Sequence, residues 1–387
     1  MQKICLYNPS WHTLGGGEKY ILSIAELLVR DPENDIHVLS ADRSLTPERI
    51  RKAFNLHLDR ASFSAVRTRE ARHALAAADV SVVVSNFRPF GIRARRNILV
   101  LQIPYGPITA ASIARRCGRF AIREAAKDFF RLRLLGEARR ADLVLVYSEF
   151  VRSVLERHHH IQARVLPPPI DDFKRTAEPH NAILSVGRIF RGRYNDKRYD
   201  ALIEGFKRLY ELLGDPSWEY RIVGNCGDDV NSQAYLSDLR RQATGYPIHF
   251  HVNTSYADLA RHYNEASIFW HGAGFDVNED REPERTEHFG MTTVEAMSAG
   301  CVPVVINKGG QKEIVQPGQS GFLWDTLGQL VELTVRLVRD EALVKRLRAA
   351  ARVRFHDFDH DHFESRFGEL MSRLSPIPGT LHVPPDV

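Results

Sequence analysis

Two glutamates eight positions apart, Glu287 and Glu295, are the residues of this 387-residue sequence best placed to do chemistry together. They lie in the stretch EHFGMTTVEAMSAG. A glycine-containing turn, His288-Phe289-Gly290-Met291, separates them and leads into a helical pattern with Val294, Ala296 and Met297 on an apolar side. Thr292 or Thr293 is a good N-cap, which puts Glu295 in the first helical turn and Glu287 in the loop before it. Free N–H groups at a helix start, with the positive end of its dipole, make an anion site. A carboxylate on each side can accept hydrogen bonds from sugar hydroxyls. The combination suits a ligand that is part phosphate and part sugar. The same residues also fit a capping box, in which Glu295 bonds back to its own helix start.

Cations stand where such a ligand needs them. Gly187-Arg188 follows a strand-like run, and Lys197 comes nine residues after Arg188, in the loop Arg191-Gly192-Arg193-Tyr194-Asn195-Asp196-Lys197. Two such charges neutralise a diphosphate and stabilise it as a leaving group. Taken singly, Arg188 also reads as a surface cation and Lys197 as a solvated helix start. Gly309-Gly310-Gln311-Lys312-Glu313 follows a later strand, again at a ligand-facing end. Near the start, Gly15-Gly16-Gly17-Glu18 joins the apolar run Lys3–Asn8 to a helical pattern of Tyr20, Ile21, Ile24, Leu27 and Leu28. Strand, glycine turn and helix open a nucleotide-binding-like βαβ unit. Glycine lets the backbone come close to a ligand.

The elements that must hold these residues form two α/β series. Ile36–Ser40, Asp79–Ser85, Asn97–Ile103 and Asp142–Ser148 are apolar runs of the kind buried on both sheet faces. With the helical stretches between them they predict an N-terminal domain over residues 1–166. Pro167, Pro168 and Pro169 fix an extended linker over 167–175. A second domain over 176–355 alternates strands at Ala182–Val186, Tyr220–Gly224, Ile248–Val252, Ser267–His271 and Cys301–Ile306 with helices at Tyr199–Leu213, Gln233–Thr244 and Tyr256–Tyr263. Leu343–Leu374 is helical in pattern. Residues 356–387 are expected to pack a helix back on the first domain and to end in a loose tail after Pro376-Ile377-Pro378-Gly379. The fold class is α/β: two doubly wound Rossmann-like parallel sheets facing across a cleft, with ligands at the strands' carboxyl ends.

Composition agrees with a globular protein: 43% hydrophobic and 26% charged residues. Four scattered cysteines, Cys5, Cys117, Cys226 and Cys301, argue for a reducing compartment and against a disulfide framework. The start runs straight into KICLY without an apolar leader, and no apolar run reaches the roughly 20 residues of a membrane span. A cytoplasmic enzyme, with contact at the inner membrane face as a further option, is the expectation. The net charge of +5 fits phosphate-rich ligands, anionic membrane or nucleic acid alike. Between Arg93 and Arg140 there are twelve Lys/Arg against three Asp/Glu, interleaved with Phe120, Ile122, Phe129, Phe130, Leu132, Leu134 and Leu135. This is either a surface for anionic headgroups or a polyprenyl-diphosphate acceptor, or an amphipathic helix with a solvated cationic face. Asp357, Asp359 and Asp361 read as solvated or capping acids rather than metal ligands, and His158-His159-His160 as a helix end.

The set Gly16-Gly17-Glu18, Val186-Gly187-Arg188, Lys197, Glu287-His288-Phe289-Gly290, Val294-Glu295-Ala296-Met297, Ala299-Gly300, Pro303-Val304-Val305, Gly309 to Val315 and Gly318 to Leu323 resembles the GT-B retaining glycosyltransferases called glycosyltransferase group 1, or family 4. The resemblance covers nearly the whole chain and is strongest over 183–325. It implies that Glu287 holds the donor sugar's hydroxyls and Glu295 the nucleotide ribose. Gly290, Met291 and Thr292 then offer N–H groups to the diphosphate, Arg188 and Lys197 stabilise the departing nucleoside diphosphate, and Gly187 belongs to the same phosphate-side turn. Gly16 and Gly17 approach the phosphates from the opposite domain. The resemblance further implies a UDP- or GDP-sugar donor, a glycan, lipid-linked or small-molecule hydroxyl acceptor, no required metal or other cofactor, and no nucleic acid. One position departs from the pattern. Where many members carry a histidine after the Asn97–Leu101 strand, this chain has Gln102, which can hydrogen-bond a sugar hydroxyl but cannot titrate near neutral pH. His12 or the Pro104-Tyr105 loop could lie nearby. The segment Gly272–Arg285 is expected to form an ordered flap at the donor site. The competing classes are a sugar-nucleotide epimerase or phosphorylase of the same fold, and a basic nucleic-acid- or membrane-binding protein without catalysis.

Overall fold

The computed structural model describes residues 1–9, 11, 15–87, 89–91, 93–108, 122–192, 194 and 196–374, with the side chains of 122–125 also left out. His12, Arg193, Asn195, Cys117, Phe120 and the tail after residue 374 lie outside the described residues, as does the side chain of Ile122.

The first sheet has seven parallel strands: β1 (Gln2–Tyr7), β2 (Asn34–Ser40), β3 (Ser62–Ala65), β4 (Val80–Val84), β5 (Arg96–Val100), β6 (Leu143–Val146) and β7 (Arg164–Val165), in the order β3-β2-β1-β4-β5-β6-β7. Every residue of β4, VSVVV, is buried, as a strand covered on both faces requires. Helices α1 (Gly16–Arg30), α2 (Pro47–Phe54), α3 (Thr68–Ala76), α4 (Ile122–Ala138) and α5 (Glu149–His159) make the crossovers. Between β4 and β5 the described residues carry no helix.

The second sheet has six strands, β8 (Ala182–Val186), β9 (Glu219–Gly224), β10 (Ile248–Val252), β11 (Ile268–His271), β12 (Val302–Ile306) and β13 (Phe322–Trp324), in the order β10-β9-β8-β11-β12-β13. Its helices are α6 (Tyr199–Leu213), α7 (Val230–Gln242), α8 (Tyr256–Glu265), α9 (Met291–Ser298), α10 (Gln311–Ile314), α11 (Leu327–Arg339), α12 (Glu341–Phe355) and α13 (His360–Ser372). Both sheets are parallel throughout. One apolar cluster is continuous across the two lobes, joining Ile4, Tyr20 and Leu166 to Phe289, Val294 and Phe363.

Three expectations need adjusting. The strand expected over Asn97–Ile103 stops at Val100, because the Gln102 N–H leaves the ladder for Asn86 Oδ1 at 3.0 Å. The helical stretch Leu343–Leu374 is broken: a 3-10 turn over His356–Phe358 ends α12, and the Asp359 carboxylate starts α13 by accepting from His362 N–H at 2.9 Å. The N-cap of α9 is Gly290, at φ +126°, with no side-chain cap from Thr292 or Thr293. α13 returns to the first lobe, where Phe363 lies 5.8 Å from the Tyr20 ring and Glu364 pairs with Arg30 at 2.6 Å.

Candidate functional site

Glu287 is the centre of a compact buried cluster. Lys197 Nζ lies 2.5 Å from Glu287 Oε2, and His271 Nε2 lies 3.0 Å from the same oxygen. Lys197 and His271 are 3.4 Å apart. The Lys197 and Glu287 side chains are only 13% and 11% exposed, so this is no solvated surface pair. Local chain geometry brings Lys197 in. Arg198 turns the backbone through φ +54° ahead of α6, and Tyr199 donates to the Gly187 carbonyl at 2.9 Å. A Cβ on Gly187 would sit 2.7 Å from Lys197 Cε, so the lysine stem needs glycine beside it.

The electrostatics fix the protonation states. Burial acts to raise the Glu287 carboxyl, but the Lys197 charge and the His271 hydrogen bond reverse this and hold it well below the usual range. Burial, joined by Lys197, lowers the His271 imidazole, which is therefore neutral at pH 7. Facing an ionised carboxylate, its Nε2 must carry the proton and donate. His271 was not singled out in the sequence as a functional residue. Its one signal was its place at the carboxyl end of a strand.

The helix start at Gly290 is the second part of the site. Gly290, Met291 and Thr292 direct N–H groups that have no acceptor among the described residues; the first helical bonds run from Thr293 and Val294 to the Gly290 carbonyl. A Cβ on Gly290 would lie 2.8 Å from Gln311 Nε2, and the buried Gln311 amide has no hydrogen-bond partner on either atom. Polar donors left unpaired in this way mark a place for an anion. Glu295 lies one turn further along α9. It does not close a capping box. Tyr263 instead donates to its Oε2 at 2.6 Å, and burial raises its pKa.

The first lobe supplies the opposite wall. A Cβ on Gly16 would meet Met291 Cε at 2.0 Å, and one on Gly17 would meet the Gln102 amide at 3.2 Å. The structure thus joins Gly16, Gly17, Gln102 and Met291 in one place. Asn86 Nδ2 donates to Gln102 Oε1 at 2.7 Å, and Gln102 Nε2 donates to the buried Tyr147 hydroxyl, so the amide is oriented by its own lobe. Arg188 is the exception among the expected residues. It is exposed, stacks its guanidinium 5.2 Å from the Phe190 ring, and makes no hydrogen bond or ion pair with Lys197 or either glutamate.

The glycine pair 309–310 packs beneath the cluster, with Gly310 N–H donating to the Glu287 carbonyl at 2.9 Å. A Cβ on Gly309 would be 2.1 Å from that same carbonyl oxygen. Glu313 does something the sequence did not show. It crosses to the first lobe and accepts from the N–H groups of Glu149 and Phe150, at 2.7 and 2.5 Å, capping α5. Ser148 adds a 2.6 Å bond to the His288 carbonyl. The segment after β11 is ordered by Glu279, which binds Gly309 N–H at 2.9 Å and Lys312 at 2.5 Å, and by Arg198 donating to the Phe275 carbonyl at 2.5 Å. Among the described residues no three His, Cys, Asp or Glu side chains are grouped to hold a metal ion. No helix of the described residues is long and apolar enough to cross a membrane.

Both halves of the chain match known protein families. A family model described as glycosyl transferases group 1 matches residues 169–354, and one described as glycosyltransferase family 4 matches residues 14–172. A GDP-Man:Man(3)GlcNAc(2)-PP-Dol alpha-1,2-mannosyltransferase of Xenopus laevis is 30% identical over 155 residues, 38% of this chain and 29% of that protein. The Homo sapiens protein of the same name is 27% identical over 219 residues, 53% and 41% respectively. The matches therefore span less than half the length of these curated relatives. Among solved structures, Anabaena Alr3699/HepE in complex with UDP and glucose superposes with a TM-score of 0.69 at 15% identity, over 97% of this chain and 100% of that one. A sucrose-phosphate synthase from Thermosynechococcus elongatus gives 0.66 at 16% identity, over 97% and 99%. At such identities the likeness establishes the fold, which is GT-B. The two family models together run from residue 14 to residue 354, one on each lobe, and the chain belongs to the group 1/family 4 glycosyltransferases.

Proposed function

We propose that the protein transfers a sugar, with retention of configuration, from a UDP- or GDP-sugar to a hydroxyl acceptor in glycan or lipid-linked glycan assembly. The observation that carries this reading is the Lys197–Glu287–His271 cluster set beside the open helix start at Gly290, with Glu295 beyond it. Glu287 stays ionised, so it accepts hydrogen bonds from donor-sugar hydroxyls and does not act as an acid. The N–H groups of Gly290, Met291 and Thr292 receive the diphosphate, and Glu295 takes the ribose. Lys197 draws off charge as the bond from the anomeric carbon to the phosphate oxygen breaks. The acceptor oxygen bonds to that carbon on the same face, and its proton passes to the departing phosphate. Arg188 joins only by swinging off Phe190 towards the diphosphate; Gly187 keeps its backbone at the phosphate side. Gly16, Gly17 and Gln102 close the cleft from the first lobe and exclude water. The names of the curated relatives pair a GDP-mannose donor with a dolichol-diphosphate-linked acceptor, and a structural neighbour binds UDP and glucose. Both support a nucleotide-sugar donor, and the names of the curated relatives favour a lipid-linked acceptor.

The test is sugar transfer and nucleotide affinity in two variants. Glu287→Gln should lower kcat by about 10²–10³, the scale of losing one transition-state contact, and leave nucleoside-diphosphate affinity within about twofold. Glu295→Ala should weaken nucleotide binding by about tenfold, the worth of a hydrogen bond to a charged group. Turnover unchanged in both, in protein that melts normally, removes the site.

A further inference from the structure

A cavity of about 820 Å³ opens on one face of the first sheet, between α3 and α4. The β4–β5 connection contributes Pro89, Phe90, Gly91 and Arg93 to its lining. Its wall carries Arg69, Arg72, Arg93, Arg133 and Arg140 against a single carboxylate, Glu137. That carboxylate is already committed: it accepts from Phe90 and Gly91 N–H groups at 2.9 and 3.0 Å. Glu70, the acid of α3, is turned to its own helix start, accepting from Arg67 N–H at 2.7 Å. Arg72 is held in place, donating to the Phe90 carbonyl at 3.1 Å with its guanidinium 5.5 Å from that ring. Arg69, Arg93, Arg133 and Arg140 make no ion pair among the described residues. Four guanidinium groups with no ion-pair partner among the described residues, set around one concavity, repel each other until an anion enters. Their planar forks match phosphate oxygens in pairs. Phe130, 39% exposed on the rim, adds an apolar edge.

We propose that this cavity is a second anion site, taking the phosphate or diphosphate group of a ligand whose attached portion lies against Phe130. It shares no residue with the Glu287 cluster, and it stands whether or not the donor reading does. Two sources carry this chemistry, a soluble diphosphate and a lipid headgroup, and the experiment separates them. The full chain is titrated with inorganic pyrophosphate by calorimetry. It is also co-sedimented with phosphatidylglycerol vesicles and with phosphatidylcholine vesicles. The same is done with Arg69→Gln/Arg133→Gln/Arg140→Gln and, as a milder variant should that one fold poorly, with Arg133→Gln/Arg140→Gln. Binding of pyrophosphate or anionic vesicles that falls at least tenfold in the variants, with no binding to phosphatidylcholine, supports the site. Pyrophosphate alone points to a soluble ligand, anionic vesicles alone to a headgroup. Equal binding by wild type and variants, or no binding to either probe, overturns it.

Discussion

At the level of single residues, the proton on Glu287 is decided by its neighbours. Burial favours the protonated acid, and Lys197 with His271 reverses that preference. Lys197→Met leaves burial and one neutral imidazole. Breaking a buried ion pair on one side costs about 3–5 kcal/mol, and the slight exposure at the cleft puts this one near about 3 kcal/mol. The sign with pH follows from the depressed carboxyl. Its stabilisation is fully present above the ordinary glutamate value, about pH 4.3, and is lost as pH falls towards the lowered one. Urea unfolding of wild type and Lys197→Met should therefore differ most near neutral pH, with the gap closing below about pH 4. Lys197→Met/Glu287→Gln should recover most of the loss. A gap that ignores pH refutes the coupling. Glu287 and Glu295 were legible because their spacing is local and sits on one turn and one helix. His271 was not, since Glu287 stands 16 positions further along the chain and only folding closes that distance.

Elements are placed by backbone requirements that residue type only partly reveals. The strand–helix alternation was readable because parallel strands covered on both faces must be continuously apolar. The short strands β3, β7 and β13, of four, two and three residues, are too brief to show a period. The start of α9 was misread because threonine is a common cap, whereas the turn there needs φ +126° and so needs Gly290. Gly290→Ala forces that backbone on a Cβ and drives it to 2.8 Å from Gln311 Nε2 and 3.0 Å from Ile314 Cδ1. The expected loss is about 2–3 kcal/mol. Gly16→Ala is a control of opposite character. Its Cβ meets only the tip of a methionine, which can swing aside, and alanine suits a helix start better than glycine by up to about 1 kcal/mol. Chemical denaturation should show Gly290→Ala clearly destabilised and Gly16→Ala within about 0.5 kcal/mol of wild type, as for a surface change. Equal losses would mean that the lobes are clamped at Met291 more firmly than a flexible side chain allows.

For the whole molecule, the decisive residue is in the linker. The three prolines announced a connection between lobes, but not what holds it. Asp171 does: Lys19 of α1 approaches it at 2.6 Å, Tyr256 of α8 donates to it at 3.0 Å, and His360 of α13 lies 2.9 Å away. These partners come from both lobes and the C-terminal helix, up to 189 residues distant in sequence, so no local pattern could reveal them. Its neighbour Asp172 binds Arg352 of α12 at 2.7 Å, pinning the linker a second time. Burial acts to raise the Asp171 carboxyl, yet His360 and Lys19 overcome it and hold it far below the usual range. A depressed carboxyl stabilises the fold above its ordinary value, about pH 4, and that contribution disappears as pH falls below it. Asp171→Ala removes all three bonds and frees Lys19, whose charge also bears on Glu295. The expected cost is about 3 kcal/mol, as for losing a partly exposed bond set to a charged group. Unfolding measured from pH 7 down to pH 3 should show wild type and variant converging below about pH 4. Small-angle scattering at neutral pH should give the variant a larger radius of gyration, because this carboxylate ties α1, α8 and α13 together at the linker and motion between domains is the default once such a tie is cut. An unchanged radius with unchanged stability would place the hinge elsewhere, in the apolar cluster that runs from Tyr20 to Phe289 rather than in this carboxylate.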